Sequence, residues 1–329
     1  MHAIRLHEFG PAENLLYEKT DDPVPGPGQV RIAVAAAGVH LLDSFLREGR
    51  SGGPMPPAEL PTIPGREVAG TVESVGEGVD ADWLGRRVVA HIGLVPGGYA
   101  ELTVTEAERL HALPDSLDAA EAVAMIGTGR TTMGYLHFAA LTPDDVVIVT
   151  AAAGGIGSLL VQYARNLGAY VVGLAGGPEK AARVRDLGAD TAEDYTDPAW
   201  PGRVRAALGD RRATVLLDTV GGDAARTAAD LLARGGRHLV VGWSSGAPLE
   251  FTEAELAERG ITSVNVLGPD WLSRIGGENP LRRMEEAALA EAASGRWKPL
   301  VQRYPLARAA EAHRALETRG TVGKVVLEP

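Results

Sequence analysis

Short apolar runs alternate with helical segments through the middle of the chain. The first run consists of four β-branched residues, which favour strands, and five further runs of strand length follow it. The six runs lie at 146–149, 169–175, 191–195, 213–221, 235–243 and 261–267. Segments with helical spacing of apolar residues separate them, as at 158–164, 179–187 and 224–233. This alternation predicts an α/β fold, a doubly wound parallel sheet of six strands with its ligand at the carboxyl ends of the strands.

The amino-terminal third follows a different pattern. Strand-like runs at 1–6, 30–36, 69–75 and 87–90 are separated by glycine and proline turns, which predicts a compact, mainly β domain. The stretch 51–57 is rich in glycine and proline, but strand signals continue after it, so we interpret it as a loop. A chain of 329 residues is expected to form two hydrophobic cores.

Composition and charge exclude several classes of protein. A net charge of −11 argues against binding to nucleic acid or to an anionic membrane. No apolar run approaches the roughly 18 residues of a membrane span, and a strand rather than a signal peptide begins the chain, so we expect a cytoplasmic protein. The chain has no cysteine, which excludes disulfides, thiolate zinc sites and a nucleophilic thiol. Its eight histidines lack the spacing of zinc motifs, and we predict no metal site.

A glycine turn follows the first apolar run and leads into a helix. The segment comprises Ala153, Gly154, Gly155, Ile156 and Gly157. Gly154 leaves room for a pyrophosphate, and Gly157 lets the helix lie close to the strand, while the N–H groups of the first helical turn face the anion. Ala152 stands where the usual G-x-G-x-x-G pattern has its first glycine, so a turn without a ligand is the alternative. Its place in the longer βαβ pattern favours a dinucleotide site.

The residues after the second strand favour NADPH over NADH. An NAD site usually has Asp or Glu at the end of this strand, but here Ala175 and Gly176 occupy that place. Lys180 lies in the first turn of the next helix, where a cation opposes the helix dipole unless it binds an anion. Tyr195 ends the third strand and is predicted to lie beside the adenosine phosphate. The alternatives are a solvated lysine and a tyrosine that packs at a strand end.

Several segments, in their order and spacing, resemble the medium-chain dehydrogenase/reductase superfamily, and within it the zinc-free quinone oxidoreductases. The segments are 38–43, 64–70, 76–79, 85–88, 97–101, 151–157, 294–296, 304–306, 310–313 and 323–327. The resemblance covers nearly the whole chain. It implies a GroES-like substrate domain formed by 1–120 and 268–329, a Rossmann domain at 121–267, and a substrate cleft between them.

The resemblance also bears on metal and substrate contacts. The zinc branch of the family has cysteine at the position of His40 and histidine at that of Arg66. An arginine would repel a divalent cation, so the chain is expected to be zinc-free. The quinone-reductase branch commonly has asparagine at the position of His40 and tyrosine at that of Phe45. By position, Phe45 and Arg66 are predicted to line the substrate cleft. Because His40 and Phe45 differ from the common residues, the substrate contacts of the family are not assigned to this chain.

Further cofactor contacts are implied by the same resemblance. Segments that line the nicotinamide half of the site match Thr219, Val220, Gly242, Trp243 and Ser244. Arg319 lies before the closing strand, where the family can place a basic cofactor contact. The alternative for Arg319 is an exposed arginine at the end of a helix.

The predicted reaction is hydride transfer from NADPH to a quinone or an α,β-unsaturated carbonyl compound. Without zinc, hydrogen-bond donors must stabilise the negative charge that develops on oxygen. His40 and the Thr131 hydroxyl are the candidates, and Asp43 is predicted to orient the loop. The alternatives are a loop histidine, a threonine that caps a helix, and water as the proton source.

Two other functions fit the same sequence. One is an enoyl-thioester reductase of fatty-acid or polyketide type, which shares the fold, the cofactor and the hydride step. The other is an NADPH-binding protein with little turnover.

The last predicted strand, 261–267, lies at a sheet edge in this topology. It has no proline or lysine to prevent pairing with another strand. Antiparallel pairing with its own copy predicts a homodimer, and proline at Val264 is expected to weaken it by removing a ladder donor. A loop that covers the edge is the alternative.

Overall fold

A computed structural model of the chain describes residues 1–50, 58–266, 268 and 270–329. The predicted loop at 51–57 and Leu267, the last residue of the predicted edge strand, lie outside the described residues. The strands are β1 (His2–Leu6), β2 (Leu15–Lys19), β3 (Gln29–Val39), β4 (Glu67–Val75), β5 (Arg87–His91), β6 (Leu102–Glu106), β7 (His111–Ala112), β8 (Val146–Val149), β9 (Tyr170–Ala175), β10 (Thr191–Asp194), β11 (Ala213–Asp218), β12 (Leu232–Val240), β13 (Thr262–Asn265), β14 (Val301–Pro305) and β15 (Lys324–Glu328).

Helices of very different lengths connect these strands. They are α1 (Leu41–Arg47), α2 (Ala119–Ala124), α3 (Arg130–Ala139), α4 (Gly155–Leu167), α5 (Pro178–Asp186), α6 (Trp200–Leu208), α7 (Gly222–Ala229), α8 (Glu253–Arg259), α9 (Trp271–Ile275), α10 (Pro280–Ala293) and α11 (Ala309–Glu317). A π-helical turn, Met125–Gly129, joins α2 to α3. Across the described residues, no helix combines the length and the apolar composition that a membrane span requires.

Contacts divide the chain into two units. The first unit comprises 1–128, 288–293 and 299–329, and the second comprises 129–287 and 294–298. Neither domain boundary implied by the resemblance, after residue 120 or after residue 267, coincides with a junction between these units. Residues 121–128 group with the first unit because α2 packs on β3 and β4. Helix α9 groups with the second unit, where the Trp271 ring lies against Gly134 of α3.

The first unit is built on a mainly antiparallel sheet, as its sequence predicts. The strand order is β14-β15-β3-β4-β5-β7, with β6 also paired to β3 and with β1 and β2 forming a separate pair. Strand β3 runs antiparallel to both β15 and β4, and Val39 lies opposite Val325 while Ala37 lies opposite Val68. The end of β3 therefore meets the beginnings of β4 and β15, which places three ionisable residues together, as described below.

The second unit confirms the predicted doubly wound sheet. The six strands have the order β10-β9-β8-β11-β12-β13, and all neighbouring pairs are parallel. The helix predicted over 224–233 is wrong at its end, because α7 stops at Ala229 and β12 begins at Leu232. Leu231 and Leu232 pack into the core of the sheet instead of extending the helix.

Strand β13 forms one edge of this sheet and pairs with β12. Val264 is 41% exposed, as expected for an edge without a covering segment at that point. The N–H of Val266 donates to the Val240 carbonyl, and alternate residues of a strand point the same way. The Val264 N–H therefore faces β12, and the Ser263 N–H faces away from it. Proline at Val264 would break a bond within the unit, which corrects the substitution suggested by the sequence.

Candidate functional site

The glycine turn after β8 forms an anion cradle at the start of α4. A Cβ atom on Gly157 would lie 2.3 Å from the Ala151 carbonyl oxygen and 2.9 Å from the Ala152 Cα atom. Only glycine lets the helix approach the strand this closely. Gly154 provides no side-chain cap, so the first N–H groups of a thirteen-residue helix are left to bind an external acceptor. This arrangement fits the pyrophosphate of a dinucleotide.

The alanine that replaces the first glycine of the motif is accommodated by the neighbouring strand. Ala152 is fully buried, and its N–H donates to the Leu174 carbonyl at 2.9 Å. A Cβ atom on Gly173 would lie 3.3 Å from the Ala152 methyl group and 2.2 Å from a Val184 methyl group. Gly173 therefore leaves the space that the methyl group of Ala152 occupies, and the tight turn is retained.

The predicted adenosine-side residues gather at the carboxyl ends of β9 and β10. A Cβ atom on Gly176 would lie 3.2 Å from the Tyr195 hydroxyl oxygen, so this side chain stands against the glycine turn. The Tyr195 N–H donates to the Ala175 carbonyl at 3.0 Å. Lys180 is half-buried in the first turn of α5, which begins at Pro178. The structure thus brings Gly176 and Tyr195 together and places Lys180 on the helix that follows.

A carboxylate that the sequence interpretation missed lies beside this turn. Asp194 accepts the Gly177 N–H at 2.8 Å, and it accepts the Thr196 N–H at 2.9 Å and the Thr196 hydroxyl at 2.7 Å. Desolvation raises the pKa of Asp194, but these hydrogen bonds outweigh it and hold the pKa below its usual value. The sequence argument considered only the end of the second strand, and Asp194 ends the third.

The predicted nicotinamide-side residues lie in two loops that pack together. Thr219 and Val220 follow β11, and Gly242, Trp243 and Ser244 follow β12. The Ser244 N–H approaches the Thr219 carbonyl at 3.4 Å, and a Cβ atom on Gly242 would lie 3.3 Å from the same oxygen. Trp243 is 45% exposed and can therefore contact a ligand.

A buried carboxylate holds the first of these loops. Asp218 accepts hydrogen bonds at 3.0 Å from the Thr150 hydroxyl, the Val220 N–H and the Gly221 N–H. His238, also fully buried, lies 3.4 Å from the other oxygen of Asp218 and 2.8 Å from the Ser263 hydroxyl on the edge strand. The sequence interpretation placed Asp218 within a strand and assigned it no role, although a buried aspartate before a glycine turn is a signal that could have identified it.

In the first unit, His40 belongs to a cluster with Glu67 and Lys324. The His40 Nε2 atom lies 2.5 Å from Glu67 Oε1 and 2.6 Å from Lys324 Nζ. Lys324 Nζ lies 2.8 Å from Glu67 Oε2. Desolvation raises the pKa of Glu67, but the charges of His40 and Lys324 outweigh it and hold the pKa well below its usual value. The cluster therefore contains a carboxylate that is ionised at neutral pH.

Asp43 accepts hydrogen bonds from the loop that carries His40. Its carboxylate accepts the His40 N–H at 2.8 Å and the Tyr99 hydroxyl at 3.0 Å. Arg66 approaches the other carboxylate oxygen at 3.4 Å. Desolvation and the Asp43 charge raise the pKa of Tyr99 well above its usual value, so its hydroxyl stays a donor. Asp43 thus fixes the start of α1.

The four remaining predicted site residues differ in their burial and contacts. Phe45 is half-buried beneath the Arg50 guanidinium, whose carbon lies 4.4 Å from the ring centroid. The Arg66 side chain is only 11% exposed and also donates to the Leu94 carbonyl. Thr131 is half-buried in the first turn of α3 in the second unit. Arg319 is exposed, has a left-handed φ of 58°, and lies in the turn before β15.

Acid is expected to destabilise the protein through His313. This side chain is fully buried beside Tyr99, Ser44 and Arg47, and burial lowers its pKa to about 4 from 6.5. The unfolded histidine therefore binds a proton before the folded one does, so stability falls as the pH falls from about 6.5 to about 4. The loss is about 3 kcal/mol. Urea unfolding across this pH range measures it.

Two variants isolate the contribution of His313. His313→Gln should have a flatter pH dependence than the parent chain between pH 6.5 and 4. His137→Gln, which changes an exposed histidine, should keep the parent slope. Equal slopes in all three proteins would show that His313 does not titrate as its burial requires.

Comparisons with known proteins match both units. One family model, described as an alcohol dehydrogenase GroES-like domain, matches residues 26–115, and another, described as a zinc-binding dehydrogenase, matches residues 155–277. A quinone oxidoreductase of Pseudomonas aeruginosa is 33% identical over 328 residues, which is 99% of each chain. A 2-haloacrylate reductase of a Burkholderia species is 31% identical over 330 residues, 98% of each chain. The crystal structure of Escherichia coli quinone oxidoreductase complexed with NADPH has a TM-score of 0.85 at 29% identity, and the match covers all of both chains.

Proposed function

Because the chain belongs to the quinone oxidoreductase branch of the medium-chain dehydrogenase/reductase superfamily, we propose that it uses NADPH to reduce a quinone or an α,β-unsaturated carbonyl compound. Membership of this family makes the chain an oxidoreductase that binds a nicotinamide dinucleotide. The observation that carries the proposal is the cradle at Gly157, where a Cβ atom would collide with backbone.

The residues of the second unit fit the cofactor at three places. The first turn of α4 would hold the pyrophosphate, and Lys180 with Tyr195 would hold the adenosine phosphate. The loop fixed by Asp218 would support the nicotinamide side. When bound, the cofactor supplies a hydride. The protein then contributes the position of the acceptor and donors for the charge that develops on oxygen.

The proposed class of acceptor rests on the named activities of the relatives and on the cluster of His40, Glu67 and Lys324. One relative is named for the reduction of a 2-haloacrylate, whose double bond is conjugated to a carboxylate. Quinones and enones share with it an electrophilic carbon that places negative charge on oxygen after hydride addition. In the first unit, the partly exposed His40 is the side chain that we propose to contact such an oxygen.

We propose that no zinc ion takes part in the reaction. Two groups near His40 support this proposal, because Lys324 Nζ lies 2.6 Å from the imidazole and Arg66 neutralises Asp43. Both are cations and would repel a divalent ion at these positions. Within the described ranges, no group of three or more His, Asp or Glu side chains is arranged to hold a metal ion.

Steady-state rates with a panel of acceptors test the proposed function. The panel contains quinones, enones and enoyl thioesters, each measured with NADPH and NADH and with and without a chelator. We expect turnover of quinones or enones with NADPH that the chelator does not change. Preference for enoyl thioesters would instead favour a fatty-acid or polyketide reductase. Tight binding of NADPH without turnover of any acceptor would favour a binding protein, and rates restored only by zinc would contradict the metal proposal.

Lys180→Ala is expected to weaken the binding of NADPH and leave that of NADH nearly unchanged. The loss should be about 1–3 kcal/mol, the usual range for a charge-assisted hydrogen bond. Fluorescence titration with each cofactor measures it. Arg183→Ala is the matched control, since it removes an exposed cation from the same helix. Equal affinity of the parent chain for NADPH and NADH would contradict the proposed preference.

We further propose a homodimer through the edge strand β13, and Ser263→Pro is expected to weaken it. Proline removes the N–H that faces away from β12, a donor that antiparallel pairing with a second copy would use. Ser263→Ala is the control, because it loses the same hydroxyl contact with His238 but keeps the N–H. Light scattering should give a dimer for the parent chain and for Ser263→Ala. A parent mass of 34.4 kDa, that of one chain, would refute the proposal.

A further inference from the structure

The loops that follow β11 and β12 lie on one side of the anion cradle. The strand order β10-β9-β8-β11-β12 places the cradle, which follows β8, between the ends of two pairs of strands. All five strands are parallel, so their carboxyl ends meet at one edge of the sheet. A dinucleotide with its pyrophosphate in the cradle and its adenosine beside Tyr195, after β10, would therefore extend its other half towards β11 and β12.

Asp218, the last residue of β11, holds both of these loops. Its backbone carbonyl accepts the N–H of Val241 at 2.7 Å and that of Gly242 at 3.1 Å. One oxygen of its side chain, Oδ1, accepts the N–H groups of Val220 and Gly221, both at 3.0 Å. The position of this one residue therefore sets the path of the chain after both strands.

The loop after β11 is also bonded to the start of the cradle. Thr150 follows β8, and its hydroxyl donates to Asp218 Oδ1 at 3.0 Å and accepts the Thr219 N–H at 2.8 Å. The Thr219 hydroxyl donates in turn to the Thr150 carbonyl at 2.7 Å. The carboxylate of Asp218 therefore connects the cradle to the loop beside it.

The second oxygen of this carboxylate depends on His238. Both side chains are 0% exposed, and Asp218 Oδ2 lies 3.4 Å from His238 Nε2. Within the part of the chain that the structure describes, no other donor contacts Oδ2. A carboxylate oxygen that is buried without a donor is destabilised by the loss of its hydration. Since an ionised carboxylate only accepts hydrogen bonds, Nε2 is expected to carry a hydrogen and to donate it.

A hydroxyl on the edge strand holds the imidazole in this orientation. His238 Nδ1 lies 2.8 Å from Ser263 Oγ on β13. The ring also packs edge-on against Phe251, with the two ring centroids 5.6 Å apart. A hydroxyl both donates and accepts, so its contact with Nδ1 persists whether or not Nδ1 carries a hydrogen. Ser263 thus fixes the ring with Nε2 directed at Asp218.

We propose that His238 is a positioning residue for the cofactor, and that by donating to Asp218 it holds the two loops in the arrangement that accepts the nicotinamide half. This inference rests on the proposed function, because it takes the bound molecule to be a nicotinamide dinucleotide. His238 is fully buried, so it acts through Asp218 rather than by contact with the cofactor. The sequence analysis assigned it no role.

Three substitutions separate the hydrogen bond of Nε2 from the space that the ring fills. His238→Gln keeps an N–H donor at about the reach of Nε2, and His238→Asn keeps one only at about the reach of Nδ1. His238→Leu keeps neither, but it fills the core with an apolar side chain. If the donor to Asp218 is what matters, His238→Gln should resemble the parent and the other two variants should not. A residue that merely fills the core would be replaced best by leucine.

Amide hydrogen exchange in the cofactor-free protein tests the effect on the loop. The N–H groups of Val220 and Gly221 donate to Asp218, so their exchange rates report whether the carboxylate stays in place. We expect exchange about 10-fold faster in His238→Leu and His238→Asn, and close to the parent rate in His238→Gln. The control is the Tyr195 N–H, which donates to Ala175 elsewhere in the sheet and should exchange at the parent rate throughout. Equal rates for the loop in the parent and His238→Leu would overturn the proposal.

Ligand affinity tests the consequence for the cofactor. The ligands are NADPH and adenosine 2′,5′-bisphosphate, which has the adenosine half without the nicotinamide; if the parent prefers NADH, then NADH and ADP take their place. We expect His238→Leu to weaken dinucleotide binding about 10-fold, His238→Gln to bind like the parent, and every variant to keep the parent affinity for the adenosine ligand. Equal losses for both ligands in His238→Leu, or no loss for either, would overturn the proposal. If the parent binds neither dinucleotide, the proposed function fails, while the exchange rates still decide whether His238 holds the loop.

Discussion

Gly157→Ala is expected to weaken NADPH binding about 10- to 100-fold. The new methyl group would lie 2.3 Å from the Ala151 carbonyl oxygen and 2.9 Å from the Ala152 Cα atom, and neither backbone atom can rotate away. Overpacking of this kind costs about 1–3 kcal/mol, which corresponds to the stated change in affinity if the turn moves to relieve it. The same turn carries the N–H donors for the pyrophosphate. Titration of the variant with NADPH measures the loss.

Gly202→Ala provides a matched control for this prediction. Gly202 is the third residue of α6, as Gly157 is the third residue of α4, but a Cβ atom on Gly202 meets nothing within 4 Å. Alanine at Gly202 should therefore raise the free energy of unfolding by about 0.4–1 kcal/mol and leave cofactor binding unchanged. Equal NADPH affinities for the two variants would show that the cradle does not hold the cofactor.

Lys324→Met is expected to lower the free energy of unfolding by about 3–5 kcal/mol. Removing one partner of a buried ion pair leaves the other charge without compensation, and Glu67 is only 1% exposed. The control is Lys298→Met, which changes an exposed lysine side chain and should alter stability by no more than about 0.5 kcal/mol. Urea unfolding measures both. An equally small loss of stability in Lys324→Met and Lys298→Met would contradict the buried ion pair of Lys324 and Glu67.

The contribution of Glu67 to the free energy of unfolding should also depend on pH. Its folded pKa lies well below its usual value of 4.5, so the unfolded chain binds this proton at a higher pH than the folded chain. The contribution is complete above about pH 4.5 and is lost as the pH falls towards the folded pKa. Replacing both partners, in Glu67→Leu with Lys324→Met, should remove this pH dependence and recover much of the stability lost in the single variant.

The sheet of the second unit could be predicted because its signals are local. The β-branched run of β8, the glycine turn and the helix α4 are contiguous in sequence, so periodicity and turn chemistry locate them. The atypical Ala152 is accommodated by Gly173, but this contact joins the turn after β8 to β9 and is visible only in the folded chain. The end of α7 was missed because Leu231 and Leu232 are acceptable in a helix until the sheet buries them.

The cluster of His40, Glu67 and Lys324 in the first unit could be predicted only in part. His40 was identified from its position in a motif, whereas its contact with Lys324 joins residues 284 positions apart. Glu67 lies within segment 64–70, which contributes to the family resemblance, but its contacts depend on the antiparallel pairing that places the start of β4 beside the end of β3. Asp194 was missed for a similar reason, since its contact with Gly177 crosses from one strand end to another.

The most direct test of the proposed function is a single turnover with NADPH deuterated at the transferred position of C4. The acceptor is the quinone or enone with the highest rate in the panel, and the enzyme is in excess over the cofactor. If the enzyme catalyses hydride transfer to this acceptor, oxidation of the deuterated cofactor should be slower than that of the ordinary cofactor, and both should require the acceptor. Oxidation that proceeds without the acceptor, or no oxidation with any acceptor of the panel, would contradict the proposal.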